Sequence, residues 1–265
     1  MSKEVYILEL RNLTKVFSDD FGVKNKVLED ISFTIPADSP KVTSILASFG
    51  GGKSTLLKLI AGIEKPDSGE VVLNGGKYLQ PDGKIVLIPE KSASLPWLNV
   101  VKNIELASGL ETCGKNDRHY EINDLITLVG LNGYENHYPH NDSFGFRFRI
   151  SLARALMFNP IVLLLDDCFK KMDQTAREEI YTLIYEISKK TDTYFLIATT
   201  NVSEAVRLSG RVLMMSKGPA RIYNDIIISE DLISDYKSSM FIDYRRKIED
   251  AFNKENQPGI INFSI

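Results

Sequence analysis

Val42-Thr43-Ser44-Ile45-Leu46-Ala47-Ser48-Phe49-Gly50-Gly51-Gly52-Lys53-Ser54-Thr55 is the stretch whose reading decides the fold. Val42 to Leu46 is a short apolar run that breaks into three consecutive glycines, and Lys53 to Ala61 follows with Leu56, Leu57, Leu59 and Ile60 at helical spacing. Strand, glycine turn and helix, with the turn ending in Gly-Lys-Ser, make a phosphate-binding loop. Glycines let successive backbone N–H groups converge on one centre, and the start of the helix adds its positive end. Phe49, Gly50, Gly51, Gly52, Lys53, Ser54 and Thr55 are therefore assigned to a nucleoside triphosphate. Lys53 reaches the β- and γ-phosphates, and the Ser54 hydroxyl ligates Mg²⁺, a small hard cation that takes oxygen ligands. Ala47 stands where the strict motif has its first glycine, which is tolerable if its backbone keeps a negative φ. The competing reading is a glycine turn that only caps a helix.

A second segment completes the pattern. Leu163-Leu164-Leu165-Asp166-Asp167 is an apolar strand ending in two carboxylates, as in a strand that offers Asp166 to the same Mg²⁺. Taken alone, the Asp pair reads equally well as a turn. Ile161 to Leu165, Tyr194 to Ala198 and Val212 to Met215 are apolar runs alternating with helical stretches, the mark of a parallel sheet covered on both faces. Val5 to Leu10 and Val27 to Ile35 instead alternate apolar with polar residues, predicting a half-buried antiparallel sheet. Val71 to Leu73 and Ile85 to Ile88 read as further strands. Asn99 to Ala107, Tyr120 to Val129 and Arg149 to Phe158 read as helices, which makes the middle of the chain a helical insertion. Ser238 to Phe252 predicts one mixed helix in the tail.

Composition narrows the function classes. The chain has 265 residues, 43% hydrophobic and 25% charged, near the average for folded domains. No apolar run approaches the roughly 18 residues that span a bilayer. Met1 to Val5 lacks the basic-then-apolar layout of a secretory signal, so a cytoplasmic location is expected. Cys113 and Cys168 are in no metal-ligand spacing, and His119, His137 and His140 read as surface or packing residues. A formal net charge of -3 with both signs interspersed gives no basic surface, so no nucleic-acid partner is expected.

The phosphate loop, the Asp166 strand, Leu95-Pro96-Trp97-Leu98-Asn99-Val100, Tyr138-Pro139-His140 and Leu152-Ala153-Arg154-Ala155-Leu156 together resemble the ATP-binding subunits of ABC transporters. The similarity is greatest to the nitrate, sulfonate and taurine importers and covers roughly residues 5 to 225. It implies an α/β P-loop NTPase fold of ABC type: a mixed, largely parallel core sheet, an antiparallel N-terminal sheet and an inserted helical subdomain at about 90–159. It divides the chain into an ATP-binding domain, 1–225, and a C-terminal extension, 226–265, mainly one helix. The implied cofactors are ATP and Mg²⁺. The implied partners are transmembrane permease subunits, a second ATP-binding subunit and, in an importer, a solute-binding protein, with this chain peripheral on the inner membrane face. The resemblance also gives Phe17 as an adenine-stacking aromatic, although core packing would suit that residue too.

Position by position, the catalytic motifs depart from the family's. The glutamine that senses the γ-phosphate falls on Glu90. The signature Leu-Ser-Gly-Gly-Gln corresponds to Asp142-Ser143-Phe144-Gly145-Phe146, which keeps Ser143 and Gly145 as nucleotide contacts but puts an aromatic between them. The catalytic glutamate is Asp167, one methylene shorter, and a misplacement of about 1 Å can cost about a hundredfold. The switch histidine is Thr200, and losing one such polar contact commonly costs about 10² to 10³ in rate. The loop that signals between sites reads Lys170-Lys171-Met172-Asp173, keeping only its aspartate. These changes predict hydrolysis at the chain's own loop that is slower by about 10⁴, with binding intact. The resulting expectation is a heterodimer with a more competent subunit. The runner-up is a nucleotide-holding scaffold without useful turnover.

Single residues leave choices open. Trp97 either helps form a groove for a membrane subunit, as the resemblance implies, or is a buried anchor. Lys170 and Lys171 read as a solvated charge pair. Asp142 reads as the cap of the helix carrying Ser143 to Leu156.

Overall fold

The computed structural model describes residues 6–91, 93–109, 120–139 and 143–256. In chain order the elements are β1 (Tyr6–Ser18), β2 (Lys24–Pro36), β3 (Val42–Leu46), α1 (Lys53–Ile60), β4 (Ser68–Leu73), β5 (Gly76–Lys77), β6 (Ile85–Ile88), α2 (Val100–Ser108), α3 (Ile122–Leu128), α4 (Phe144–Leu156), β7 (Val162–Asp166), α5 (Gln174–Lys190), β8 (Tyr194–Thr199), α6 (Val202–Leu208), β9 (Arg211–Met215), β10 (Ile222–Ile227), α7 (Glu230–Ser234) and α8 (Ser239–Asn256).

Two sheets result. One is antiparallel, in the order β2-β1-β4-β5; the other runs β10-β9-β3-β8-β7-β6, with β9 through β6 parallel and β10 antiparallel at its edge. The antiparallel N-terminal sheet and the mixed core sheet are those expected from the sequence. Residues of β3, β7, β8 and β9 are buried throughout, because helices or the other sheet cover both faces.

The two-residue period of a strand decides which core each side chain joins. Leu163, Leu165, Phe195 and Ile197 point to a core shared with α2 to α5, whereas Val162, Leu164, Leu196 and Ala198 point to one shared with α1 and the antiparallel sheet. Each fully buried Leu, Ile or Phe contributes about 1.5 to 3 kcal/mol relative to its exposed state. The third core joins Val202, Ala205 and Val206 of α6 with Phe241, Ile248 and Phe252 of α8, so the C-terminal helix is packed onto the domain.

The one cap expected from the sequence is corrected. Ser143, not Asp142, is the N-cap of α4, its Oγ accepting the Phe146 N–H at 3.2 Å. Asp142 lies outside the described residues, as do Cys113, His119 and His140. Asp173, the retained aspartate of the Lys170–Asp173 loop, caps α5 by accepting the Ala176 N–H at 2.9 Å. Asn201 caps α6 by accepting the Glu204 N–H at 3.2 Å.

Candidate functional site

The phosphate loop joins the carboxyl end of β3 to α1, so the loop lies at the edge where parallel strands end, the place at which such sheets take their ligands. Gly52 needs its missing side chain for a specific reason. Its φ is +79°, and a Cβ there would lie 2.8 Å from Cδ2 of Leu28 on β2. Gly51 is constrained differently, since a Cβ would come within 3.0 Å of the Ser48 carbonyl oxygen and 3.2 Å of the Ala47 methyl. That contact explains how the loop accommodates Ala47. The alanine is fully buried, lies outside the left-handed region, and donates its N–H to the Thr199 carbonyl at 3.2 Å.

Lys53 and Asp166 form the floor. The Lys53 side chain is 5% exposed, and its Nζ donates to the Ser48 carbonyl at 3.4 Å and lies 3.4 Å from Oδ2 of Asp167. Asp166, at the end of β7, is 8% exposed, and its Oδ1 is buried without a hydrogen-bond partner. Burial pushes the Asp166 carboxyl above the ordinary carboxylate range; a hydrogen bond with Ser54 and the nearby Lys53 oppose the shift, while Asp167 and Glu90 add to it. A buried, orphaned carboxylate oxygen beside an exposed Ser54 hydroxyl is the donor set that a hard divalent cation requires, so Mg²⁺ fits these residues. Ser48 Oγ is a second buried oxygen without a partner in the same loop.

The surrounding positions are brought in to different degrees. Asp167 follows Asp166 with a left-handed φ of +45°, its N–H donating to the Ala198 carbonyl at 2.9 Å. Aspartate tolerates that conformation better than most residues. Thr200 follows Thr199 at the end of β8, on the strand whose Thr199 carbonyl holds Ala47. Glu90 is exposed just beyond β6 and acts electrostatically on Asp166. Phe49 projects from the loop, 83% exposed, with the Lys170 ammonium 5.5 Å from its ring centre. Thr55 is half-buried in the first turn of α1.

Phe17 is 40% exposed near the end of β1 with Lys15 over its ring at 5.2 Å, which rules out core packing. Trp97 is 66% exposed, which rules out the buried anchor. Ser143 and Gly145 begin α4, where their neighbours are Phe146 and Ala176 rather than the phosphate loop of the same chain. Between them Phe144 is flanked by Arg147 and Lys171 at 4.6 and 5.7 Å. Lys170 and Lys171 are exposed as expected, yet each sits over an aromatic ring of a nucleotide-site segment. His137 is an exposed packing residue, edge-on to Phe146 at 5.5 Å.

Sequence reasoning missed Glu204. It is buried on α6, and its carboxylate accepts hydrogen bonds from the Tyr181 hydroxyl at 3.1 Å and from Thr199. Burial pushes its carboxyl upward, opposed by those two bonds. The available signal was Asn201-Val202-Ser203-Glu204, a capping-box spacing, but here the carboxylate turns inward toward Tyr181.

A phosphate loop closed by Lys53, a strand-end carboxylate beside its serine, and a helical insertion between β6 and β7 define a P-loop nucleotide-binding cassette. Solved cassettes share this fold. A dimeric ATP-binding cassette in a post-hydrolysis state with ADP and Pi aligns at 23% identity with TM-score 0.69, covering 84% of this chain and 99% of that one. A Clostridium perfringens subunit, part of the cbiONQ ABC transporter complex, aligns at 21% identity with TM-score 0.71, covering 95% and 97%. The ABC transporter family profile matches residues 28–170. An uncharacterized ABC transporter ATP-binding protein of Methanocaldococcus jannaschii is 31% identical over 94% of this chain and 92% of its own length. An aliphatic sulfonates import ATP-binding protein of Bacillus cereus is 30% identical over 97% and 99%. A taurine import ATP-binding protein of Burkholderia pseudomallei is 35% identical over 74% of each. This chain belongs to the ABC transporter family as an ATP-binding subunit. The alternative of an inactive nucleotide-holding scaffold finds no support in these relatives. Among the described residues no helix is long and apolar enough to cross a membrane.

Proposed function

We propose that this chain couples ATP binding to solute import as the membrane-peripheral, cytoplasmic subunit of an ABC importer, and that hydrolysis at its own phosphate loop is slow. The observation that carries the reading is the contrast around Lys53, where the groups that hold phosphate and metal are complete and those that act on the attacking water are altered. The amides of Gly50 to Gly52 and the Lys53 ammonium would hold the phosphates, and Ser54 with Asp166 would hold Mg²⁺. When bound, Mg²⁺ neutralises charge across the phosphate oxygens. Phe17 would stack on the base.

Three residues support the slow step. Asp167 stands where the resemblance puts a glutamate, and its carboxylate faces Lys53 at 3.4 Å, a partner that competes with orienting a water. Thr200 offers a hydroxyl where an imidazole is expected. Glu90 adds negative charge beside Asp166. Binding and chemistry separate because the altered groups act on the transition state rather than on the bound nucleotide.

Assembly extends the proposal. Ser143 and Gly145 open α4 away from their own loop and would complete the site of a second ATP-binding subunit, a more competent one in a heterodimer. The exposed Trp97 and the 93–100 segment would dock the transmembrane permease. The relatives' names favour import of a small sulfonate-like solute, delivered by a solute-binding protein. Residues 1–225 form the nucleotide-binding domain in this reading, with 226–265 an extension. Affinity pulldown from native membranes tests the assembly. The expected outcome is co-purification of a second, different ATP-binding chain with transmembrane subunits; recovery of this chain alone with itself would overturn the heterodimer.

A further inference from the structure

The C-terminal helix closes a cavity that the nucleotide site does not use. Its volume is about 230 Å³, and it lies between α5, α6 and the start of α8. Three arginines from separate elements line it: Arg177 of α5, Arg207 of α6 and Arg245 of α8. Their Nε atoms are all buried without a hydrogen-bond partner. A buried guanidinium nitrogen without a hydrogen bond is costly, and three around one cavity, of which only the Arg207 Nε has a carboxylate within ion-pair reach, Glu178 at 3.8 Å, point to an acceptor of several hydrogen bonds.

The charges facing the cavity do not cancel. Arg207 has Glu178 at 3.8 Å and stacks on the Tyr236 ring at 3.8 Å, and Glu178 also accepts from Gln174 at 3.1 Å. Glu204, the other acid there, accepts from Tyr181 and Thr199 and feels the Arg177 charge, so two carboxylates face three guanidiniums. Among the described residues Arg245 donates only to the Ser203 hydroxyl, at 2.9 Å, and the Arg177 guanidinium acts through its charge alone, on Glu204 and Tyr181. The cavity is smaller than the 300 Å³ or so of typical organic-ligand pockets, which suits a small ion. Guanidinium forks match the paired oxygens of such anions.

We propose that this cavity binds a small oxyanion of the sulfate or phosphate type, clamping α8 to α5 and α6 through Arg177, Arg207 and Arg245. The clamp bears on α6, whose cap Asn201 adjoins Thr200 of the nucleotide site, so the anion fixes the extension next to the switch position. The site stands on different residues from the phosphate loop and does not depend on the nucleotide reading.

Thermal melting of the full chain, titrated separately with sulfate and phosphate at constant ionic strength set by chloride, tests the clamp. The Lys53→Ala variant disables anion binding at the phosphate loop and serves as the background. The proposal predicts a saturable rise in melting temperature at low millimolar anion that persists in Lys53→Ala. Half-saturation shifts upward about tenfold or more in Arg177→Gln and again in Arg245→Gln, each with Mg-ATP affinity unchanged. A rise that disappears in Lys53→Ala and persists in both arginine variants would assign the anion to the phosphate loop and overturn the clamp. A rise that never saturates is the general salting effect of excluded anions and overturns it equally. If one arginine variant fails to fold, the other decides.

Discussion

The floor of the nucleotide site and its rim are built from different materials. The floor, Gly50 to Ser54 with Asp166, is sterically determined and chemically complete, with Gly51, Lys53 and Asp166 buried: Gly52 admits no side chain beside Leu28, and Asp166 keeps a buried oxygen free of protein partners. The rim is half-buried at Asp167 and Thr200 and exposed at Glu90 and Phe144, and each of these four differs from the residue that the family resemblance calls for. Ground-state binding depends on the floor and the reaction rate on the rim, so one region can keep its job while the other changes.

The rim yields the largest expected effect. Asp167→Glu combined with Thr200→His should raise turnover at this chain's loop by about 10³ to 10⁴, measured as phosphate release with Mg-ATP affinity followed in parallel. A double variant that hydrolyses no faster would mean that the start of α4, not the rim carboxylate and hydroxyl, limits the rate. On the floor, Lys53→Ala should weaken nucleotide binding by about a hundredfold in a fluorescence titration, because two or more charge-assisted bonds are lost. Affinity within threefold of the parent, on the order of 0.6 kcal/mol, would show that the floor is not where the triphosphate sits.

Asp166 provides a smaller test with a defined sign. An acid whose folded pKa is raised contributes stability that is fully present below its unfolded value, about 3.9, and is lost as pH rises through its folded value. At neutral pH the ionised side chain is therefore a cost. Asp166→Asn should raise the melting temperature of nucleotide-free protein by roughly 2 to 4 °C at pH 7, about 1 kcal/mol, and remove the Mg²⁺ dependence of nucleotide binding. The gain should shrink as pH falls through the raised folded-state value and be gone below about 4. The smallest expected change is Glu90→Gln, an exposed position, which should strengthen Mg-ATP binding by about twofold to threefold in the same titration.

Much of this contrast was legible in the chain. The boundaries of β3 and β6 were read directly, and those of β7, β8 and β9 to within one residue, because short strands inside a covered sheet are mostly apolar, Thr43 and Ser44 of β3 being buried exceptions. β1 was cut short at Leu10, whereas it continues to Ser18. The alternation fails there because the pairing slips between Leu10 and Leu13 and Asn12 takes a left-handed φ of +52°. The helical period was read only from Arg149, because Gly145, buried against Ala176, hides it, while the motif resemblance carried the helix from Ser143 to Leu156, close to the observed Phe144–Leu156. β5, β10 and α7 escaped notice as elements too short or too exposed to carry a pattern. The floor residues form two contiguous motifs and were found. Arg177, Arg207 and Arg245 come together only through the packing of α8 on α6, which no spacing along the chain announces.

The most direct test combines Mg-ATP affinity with single-turnover hydrolysis on the purified chain. Saturable binding that Lys53→Ala weakens about a hundredfold, with hydrolysis near 10⁻³ per second or slower, on the order of 10⁴ below a typical enzyme, is the predicted result. Turnover of several per second by the unaltered chain alone, or no binding of Mg-ATP at all, would contradict it.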